Sequence, residues 1–193
     1  FFKRNSKTRK GLTRSGWILS SAYMLLTFFL KWGVHTKFKN TLKKEHLSYE
    51  NLNTTPTILN AMLWAGIAYD DDSLSVAEYS WLNRDIPIKW ARYKRYKEVA
   101  DSFPGESMDV SLWFSDGQYF FEPKGDTVRM YMTKFGRMNY DEIEAEKAFL
   151  FYSIIFKDSM GNVVYEQKTP RDKEFDYKMA FKQLSDRIGL THK

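Results

Sequence analysis

The stretch SGWILSSAYMLLTFFL, residues 15–30, is an uncharged apolar run between two clusters of Lys and Arg. Wound into a helix it is apolar on every side, which is typical of a helix deeply buried or in lipid. A membrane span needs roughly 20 residues, which is longer than this run. The segment from Ser15 to Thr36 is long enough, provided that Lys31 extends its amine to the headgroups. Trp17 and Trp32 stand near its ends, as interface anchors do. The sequence therefore predicts a membrane helix.

The same run divides the chain. Residues 1–14 are a basic juxtamembrane segment, residues 15–47 an apolar and then amphipathic helix, and residues 48–193 an extramembrane domain. The alternative is a long core helix with a polar break, as in a soluble protein. Because the chain begins at Phe1 without a Met, we expect it to be a piece of a longer protein, with this helix as its last membrane helix.

Charge is divided in the same way. Residues 1–48 hold 11 Lys and Arg and one Glu, whereas residues 49–193 hold 19 basic and 23 acidic residues. The basic character therefore belongs to the helical segment, where anionic headgroups attract it. A nucleic-acid partner is not expected, because the folded domain itself is acidic. Six basic residues precede the run and four follow it, a small excess by which the positive-inside rule favours a domain outside the cytoplasm and leaves the cytoplasmic side open.

Alternating apolar residues behind the helix predict an antiparallel α+β domain of about seven strands, with short helices and a C-terminal helix. Pro56 ends the first helix, because proline cannot extend it. We predict strands at residues 58–69, 74–82, 86–93, 118–123, 127–133, 148–156 and 163–168.

Three further segments complete the expected domain. A short helix spans residues 107–115, with Ser107 as its N-cap. Residues 139–147 are expected to form a solvated acidic loop. The final helix begins at a capping box in residues 169–172 and ends at Gly189, with an apolar stripe on one face. The stripe consists of Tyr177, Phe181, Leu184 and Ile188.

The chain is poor in catalytic motifs. Without cysteine it has neither a thiol nucleophile nor a thiolate metal site. His35, His46 and His192 lack the spacing of metal ligands. Asp70-Asp71-Asp72 could hold a cation, but it lacks the alternating spacing of a calcium loop, and a hairpin turn is the better interpretation. Residues 89–96 interleave aromatic and basic side chains; they fit either single-stranded nucleic acid or an exposed strand, and the acidic domain favours the strand.

Several segments together resemble a known family, the bacterial membrane-bound metal-dependent hydrolases. TTPTILNAMLW (54–64) is similar to its Pro-Thr-Pro-x-Asn-x-Leu-Leu-Trp signature, and EYSWL (78–82) to its Tyr-Ser-Leu-Leu strand. LWFSDGQY (112–119) resembles its Trp-Phe-Ser-x-Gly-Tyr segment. At residues 133–136 the chain has Thr-Lys-Phe-Gly where the family has Leu-Arg-Phe-Gly. The resemblance covers roughly residues 23–136.

The resemblance implies an inner-membrane protein with several upstream membrane helices, which would be partners of this chain together with the lipid bilayer. Those helices carry a motif of the kind His-Arg-Gly-x-Thr-His, which this chain lacks. No metal ligand can therefore be assigned here, and a divalent metal is expected only in the full-length protein. Four side chains are candidates to line or support a substrate surface, although strand and helix packing is the better explanation of them: Asn60, Trp64, Trp113 and Tyr119.

Two functions follow from these observations. The first is the extramembrane C-terminal domain of a membrane-bound metal-dependent hydrolase, not catalytic by itself. The second is a non-catalytic, membrane-tethered domain for binding or assembly. A cleft with convergent polar groups would favour substrate handling, whereas a flat apolar patch would favour a partner.

Overall fold

The computed structural model describes residues 7–57, 61–134, 136–137, 145–149, 151–168 and 177–189. A long N-terminal helix precedes two antiparallel sheets, so the predicted α+β class is confirmed. The helices are α1 (Lys7–Lys44), α2 (Glu106–Ser115), α3 (Ala145–Ala148) and α4 (Tyr177–Ile188), and a 3₁₀ helix covers Lys97–Ser102. The strands are β1 (Asn51–Pro56), β2 (Leu63–Tyr69), β3 (Ser73–Ser80), β4 (Ala91–Lys94), β5 (Tyr119–Lys124), β6 (Thr127–Met132), β7 (Tyr152–Lys157) and β8 (Val163–Lys168).

The strands form two sheets, each with its strands in chain order: sheet I is β1-β2-β3-β4 and sheet II is β5-β6-β7-β8. Every neighbouring pair is antiparallel. We expected about seven strands, and the structure adds an eighth and the division into two sheets. The division follows from the segment between β4 and β5, which forms the 3₁₀ helix and α2 in place of a hairpin turn.

The two sheets pack face to face and are covered by helices on their outer faces. Phe120 and Phe121 show this arrangement, because successive strand residues point to opposite faces. Phe120 packs between the sheets with Ile67 and Val76 of sheet I. Phe121 packs on the other face of sheet II with Met108 of α2. The order of layers is therefore α1, sheet I, sheet II and α2.

Helix α1 is fixed to sheet I by the last three turns of its length. Val34, Phe38 and Leu42 repeat at helical spacing and are fully buried. The Phe38 ring lies so close to Gly66 of β2 that a Cβ there would be within 2.8 Å of it. A glycine in the middle of a strand is usually unfavourable. Here it lets the helix approach the sheet.

The first sheet corrects two strand predictions. The sequence predicts a helix break at residues 54–57, but residues 51–56 form β1, with Pro56 as its last residue. This placement is allowed because β1 is an edge strand, where proline costs no ladder hydrogen bond. The strand predicted at 86–93 is shorter, since β4 begins only at Ala91. Pro87 interrupts the alternating pattern and keeps the preceding residues out of the ladder.

The ends of the first two helices also differ from the predictions. Helix α1 ends at Lys44 and not at residue 47, because His46 adopts a left-handed conformation. The amide of Leu47 then donates to the carbonyl of Leu42 at 3.0 Å, which is a Schellman cap. Helix α2 begins at Glu106 after Gly105, so Ser107 lies inside the helix and is not its N-cap.

Part of the expected acidic loop is helical. Ala145 and Ala148 of α3 are buried, and Glu146 pairs with Arg129 of β6. The remainder of that loop, residues 139–144, lies outside the described residues, as do the start of the strand predicted at residue 58 and the capping box at 169–172. Of the predicted stripe on α4, Ile188 is buried and Phe181 is exposed.

Candidate functional site

The N-terminal part of α1 carries a large exposed apolar surface. Every side chain from residue 10 to residue 26 is exposed. The exposed apolar side chains cover all sides of the helix: Leu12, Trp17, Ile18, Leu19, Tyr23, Met24, Leu25, Leu26, Phe28, Phe29 and Trp32. A soluble protein rarely exposes so large a contiguous apolar surface.

By length and composition, α1 is able to cross a membrane. Only 6% of its most apolar window is buried within the structure, which is opposite to what a core helix would show. The uncharged run from residue 15 to residue 30 is about 24 Å long at roughly 1.5 Å per residue. The helix then continues without a break into the part that packs on sheet I.

The four candidate substrate-surface residues do not meet in one place. Trp64 is 2% exposed and packs between α1 and sheet I, where its indole nitrogen donates to the carbonyl of Ala61 at 2.9 Å. Trp113 on α2 is 80% exposed. Tyr119 begins β5 and packs on the α2 side of sheet II, beneath the Arg95 guanidinium. Asn60 lies outside the described residues.

A cleft of about 470 Å³ lies between α2 and the outer face of sheet II. Helix α2 contributes serines and apolar side chains, and strands β6 to β8 contribute the floor. The lining consists of Ser107, Val110, Ser111, Phe114, Met132, Ser153, Tyr165 and Gln167. This mixture of hydroxyl, amide and apolar groups is able to hold a small, partly polar molecule. Trp113 is on the same helix, beside Phe114.

Tyr165 is the titratable group of this cleft. Its hydroxyl lies 3.3 Å from the sulfur of Met130, and burial raises its pKa above the usual value, with a smaller opposing effect from the Ser111 hydroxyl. Tyr165 is therefore a neutral hydrogen-bonding phenol near pH 7. It can orient a bound molecule but is poorly suited to act as a base.

The aromatic side chains of residues 89–96 and the Arg95 guanidinium are directed into the protein, whereas Lys89, Arg92 and Lys94 are exposed. Trp90 donates to the hydroxyl of Thr41 at 3.2 Å and meets the Phe38 ring edge to face. Tyr93 stacks on Phe120 with ring centroids 4.5 Å apart. Arg95 is buried. These rings are used for packing, so they are not available as a stacking surface for nucleic-acid bases.

Arg95 links the two sheets, a role that sequence reasoning missed. Its guanidinium donates to the carbonyls of Asp70, Gly117 and Tyr119 at 2.7, 2.6 and 3.1 Å. Its own carbonyl accepts from the amide of Phe121 in β5 at 3.0 Å. Burial lowers its pKa, but an arginine remains charged because its ordinary pKa is far above 7. The three carbonyls satisfy that buried charge.

Asp70 makes the turn that was predicted for the three aspartates. Its carboxylate accepts from the amides of Asp72 and Ser73 at 3.0 and 2.7 Å, closing the connection between β2 and β3. Burial opposes ionisation, yet these hydrogen bonds outweigh it and lower the pKa of Asp70 below its ordinary value. The carboxylate oxygens are thereby used by the turn, which confirms the hairpin interpretation.

The histidines are separated from one another. His35 Nδ1 lies 3.0 Å from the hydroxyl of Thr54, whereas His46 forms the cap of α1. His192 lies outside the described residues. Within the described ranges, no group of three or more His, Asp and Glu side chains could hold a metal ion.

Two partly buried ion pairs were also missed. Glu78 of β3 binds Arg187 of α4, 109 positions further along the chain. Glu146 pairs with Arg129 and also accepts from the Tyr152 hydroxyl at 3.0 Å. Both link separate elements of the fold and give no local sequence signal that could have revealed them.

Comparison with known proteins identifies no relative. No family model matches the chain, and no curated protein or solved structure matches it either. The family suggested by the sequence motifs therefore stays a prediction.

Proposed function

We propose that this chain is the extramembrane domain of a membrane-bound protein and that the N-terminal part of α1 is its membrane span. The observation that carries the proposal is the continuity of α1. Its exposed apolar part passes without a break into a part fixed by Val34, Phe38 and Leu42. Because one rigid helix belongs to both regions, the domain is held at a fixed position relative to the bilayer.

The charge pattern supports an orientation. Six basic residues before the run and four after it favour an N-terminal side in the cytoplasm and the two sheets outside it. The resemblance supports the bacterial inner membrane and upstream membrane helices of the same protein as the neighbours of α1. A nucleic-acid partner is not part of this proposal.

The span can be tested by labelling single cysteines, because the chain has no cysteine of its own. Ser21→Cys lies in the exposed apolar part of α1, and Ser159→Cys lies in the exposed turn between β7 and β8. In membranes containing the full-length protein, we expect a membrane-impermeant maleimide to label Cys at 159 and not at 21. Detergent solubilisation should then make position 21 reactive. Equal labelling of both positions in intact membranes would exclude the span.

The same pair of variants determines the orientation. In intact cells, with the outer membrane permeabilised, the maleimide should reach position 159 if the domain lies outside the cytoplasm. If position 159 reacts only after the inner membrane is opened, the domain is cytoplasmic. The span itself would remain supported by protection of position 21.

We propose further that the full-length protein is a metal-dependent hydrolase, with its metal motif upstream of this domain. The resemblance of residues 54–64, 78–82 and 112–119 supports this activity. In that arrangement Trp113, Tyr119 and the cleft beside α2 would contact the substrate. The alternative, a non-catalytic domain for binding or assembly, is favoured by the exposed apolar side chains of α2: Val110, Trp113 and Phe114.

Metal analysis separates these functions. If the full-length protein is a metal-dependent hydrolase, it should purify with stoichiometric divalent metal, and the present chain, lacking the upstream helices, should contain none. Chelation should then abolish hydrolysis and leave the fold of the domain intact, as judged by circular dichroism. If the full-length protein binds no divalent metal, the proposal that it is a metal-dependent hydrolase is wrong. Hydrolysis by the present chain would refute the non-catalytic alternative.

A further inference from the structure

Helix α1 leaves sheet I at the edge where β3 ends. Near the end of α1, Thr41 contacts Trp90. Further back along the helix, Phe38 contacts Gly66 in the middle of β2. About two turns before Thr41, Gly33 contacts the ring of Trp81, which directly follows β3. The contacts thus move toward the end of β3 as the helix is followed back to its exposed part. The connection from β3 to β4, residues 81–90, stands beside the point where the apolar part of α1 begins.

This β3–β4 loop has the composition of a membrane-interface segment. Leu82 and Ile86 are 53% and 57% exposed. Arg84 covers the Trp81 ring, with its guanidinium carbon 5.0 Å from the ring centroid. Aromatic, aliphatic and basic side chains together are typical of residues at the level of lipid headgroups. Arg84 and Lys89 outnumber the one acid, Asp85, so the loop is complementary to anionic headgroups.

The loop is held firmly in this position. Its second half is anchored by Ile88 and Trp90, which pack against the α1–sheet I cluster. Its first half is supported by the end of α4, where Gly189 lies against Leu82 and Asn83. The apolar side chains that remain exposed therefore occupy a defined place next to α1.

The contact between Gly33 and Trp81 sets the depth of the loop. Gly33 is three residues beyond Leu30, the last residue of the uncharged run, which is about 4.5 Å along the helix axis. The headgroup region on each side of a bilayer is roughly 5–7 Å thick. If the span extends to Thr36, the Trp81 ring lies about 4.5 Å on the acyl side of the boundary between acyl chains and headgroups. In either case the ring is within about 5 Å of that boundary.

We propose that the β3–β4 loop rests in the headgroup layer of the bilayer that α1 spans, with Leu82 and Ile86 directed to the acyl chains and Arg84 and Lys89 at the phosphates. This inference rests on the proposed span. It gives the domain a second membrane contact besides α1, which fixes its rotation about the helix axis. Every side of the domain then has a defined height above the membrane.

Nitroxide labels on single cysteines test this contact in the full chain reconstituted in vesicles of neutral and anionic phospholipid. The test positions are Leu82→Cys and Ile86→Cys. Met160→Cys, on the β7–β8 turn, is the matched control, because it is also an apolar side chain and is 81% exposed. Ser21→Cys reports on the span. For each label, the relaxation caused by oxygen, which concentrates in lipid, is compared with that caused by a water-soluble nickel complex.

We expect the ratio of oxygen to nickel accessibility at positions 82 and 86 to be several-fold higher than at position 160 and lower than at position 21. Ratios at 82 and 86 equal to that at 160, with a high ratio at 21, would overturn the loop contact and leave the span intact. A low ratio at position 21 would refute the span itself. As a second measurement, Arg84→Glu should lower the ratios at 82 and 86 by repelling anionic headgroups; unchanged ratios would argue against the lipid contact.

Discussion

Replacing Trp64 by alanine is expected to destabilise the domain by about 3–5 kcal/mol, the usual cost of removing a buried Trp or Phe ring. The indole fills the space between α1 and sheet I with Val34 and Phe38, and almost none of it is exposed. Its removal leaves a cavity. The helix cannot move closer to the sheet to fill it, because Phe38 of α1 already contacts Gly66 of β2. Chemical denaturation of the chain in detergent, followed by circular dichroism, measures the loss.

Trp113→Ala is the matched control, because it removes the same ring from an exposed position. We expect its free energy of unfolding to stay within about 0.5 kcal/mol of the wild type, as is usual for surface substitutions. If Trp113 contacts a substrate, this variant loses activity or binding while remaining stable. Equal destabilisation by the two substitutions would contradict the packing described for Trp64.

Replacing Arg95 by methionine is expected to destabilise the domain by about 3–5 kcal/mol, because three partly buried carbonyls lose their donor and each such loss costs at least about 1 kcal/mol. The change preserves much of the side-chain volume but removes the donors to the carbonyls of Asp70, Gly117 and Tyr119. These carbonyls belong to the β2–β3 turn of sheet I and to the segment at the start of β5 in sheet II. The connection between sheets I and II should therefore loosen first, with faster amide exchange at Phe121.

Arg92→Met controls for the loss of a positive charge in the same segment. Arg92 is exposed and makes one hydrogen bond, to the Ser73 hydroxyl at 3.1 Å. Its replacement should cost less than about 1 kcal/mol, the usual contribution of a single hydrogen bond. If Arg92→Met and Arg95→Met are equally stable, the three carbonyl contacts of Arg95 contribute nothing measurable.

The hairpins were predictable because their signals are local. Asp70 lies between two apolar segments and closes the β2–β3 turn, and Gly125 with Asp126 joins β5 to β6 as the alternation on either side indicated. The end of α4 at Gly189 follows from a left-handed residue, φ 95°, that glycine adopts without strain. In each case a few neighbouring residues specify the structure without help from the remainder of the chain.

The candidate site was less predictable because burial is not a local property. Trp64 and Trp113 were equal candidates in the sequence, yet one is in the interior and the other at the surface. Residues 89–96 have the composition of a nucleic-acid site, but the fold turns Arg95 and the aromatic rings inward, where Arg95 joins the sheets. Whether each of these side chains is buried depends on how α1 packs on sheet I and how α2 packs on sheet II.

The sequence by itself determined the apolar helix and the antiparallel strands, because a continuous uncharged run and alternating strand residues act through their own neighbours. The tertiary structure alone decided that the second part of α1 packs on Gly66, whereas its first part stays exposed. It also decided that eight strands divide into two sheets and that Glu78 pairs with Arg187. These features join residues far apart in the chain. Their physical cause is the shape and burial of the assembled faces, which no short segment contains.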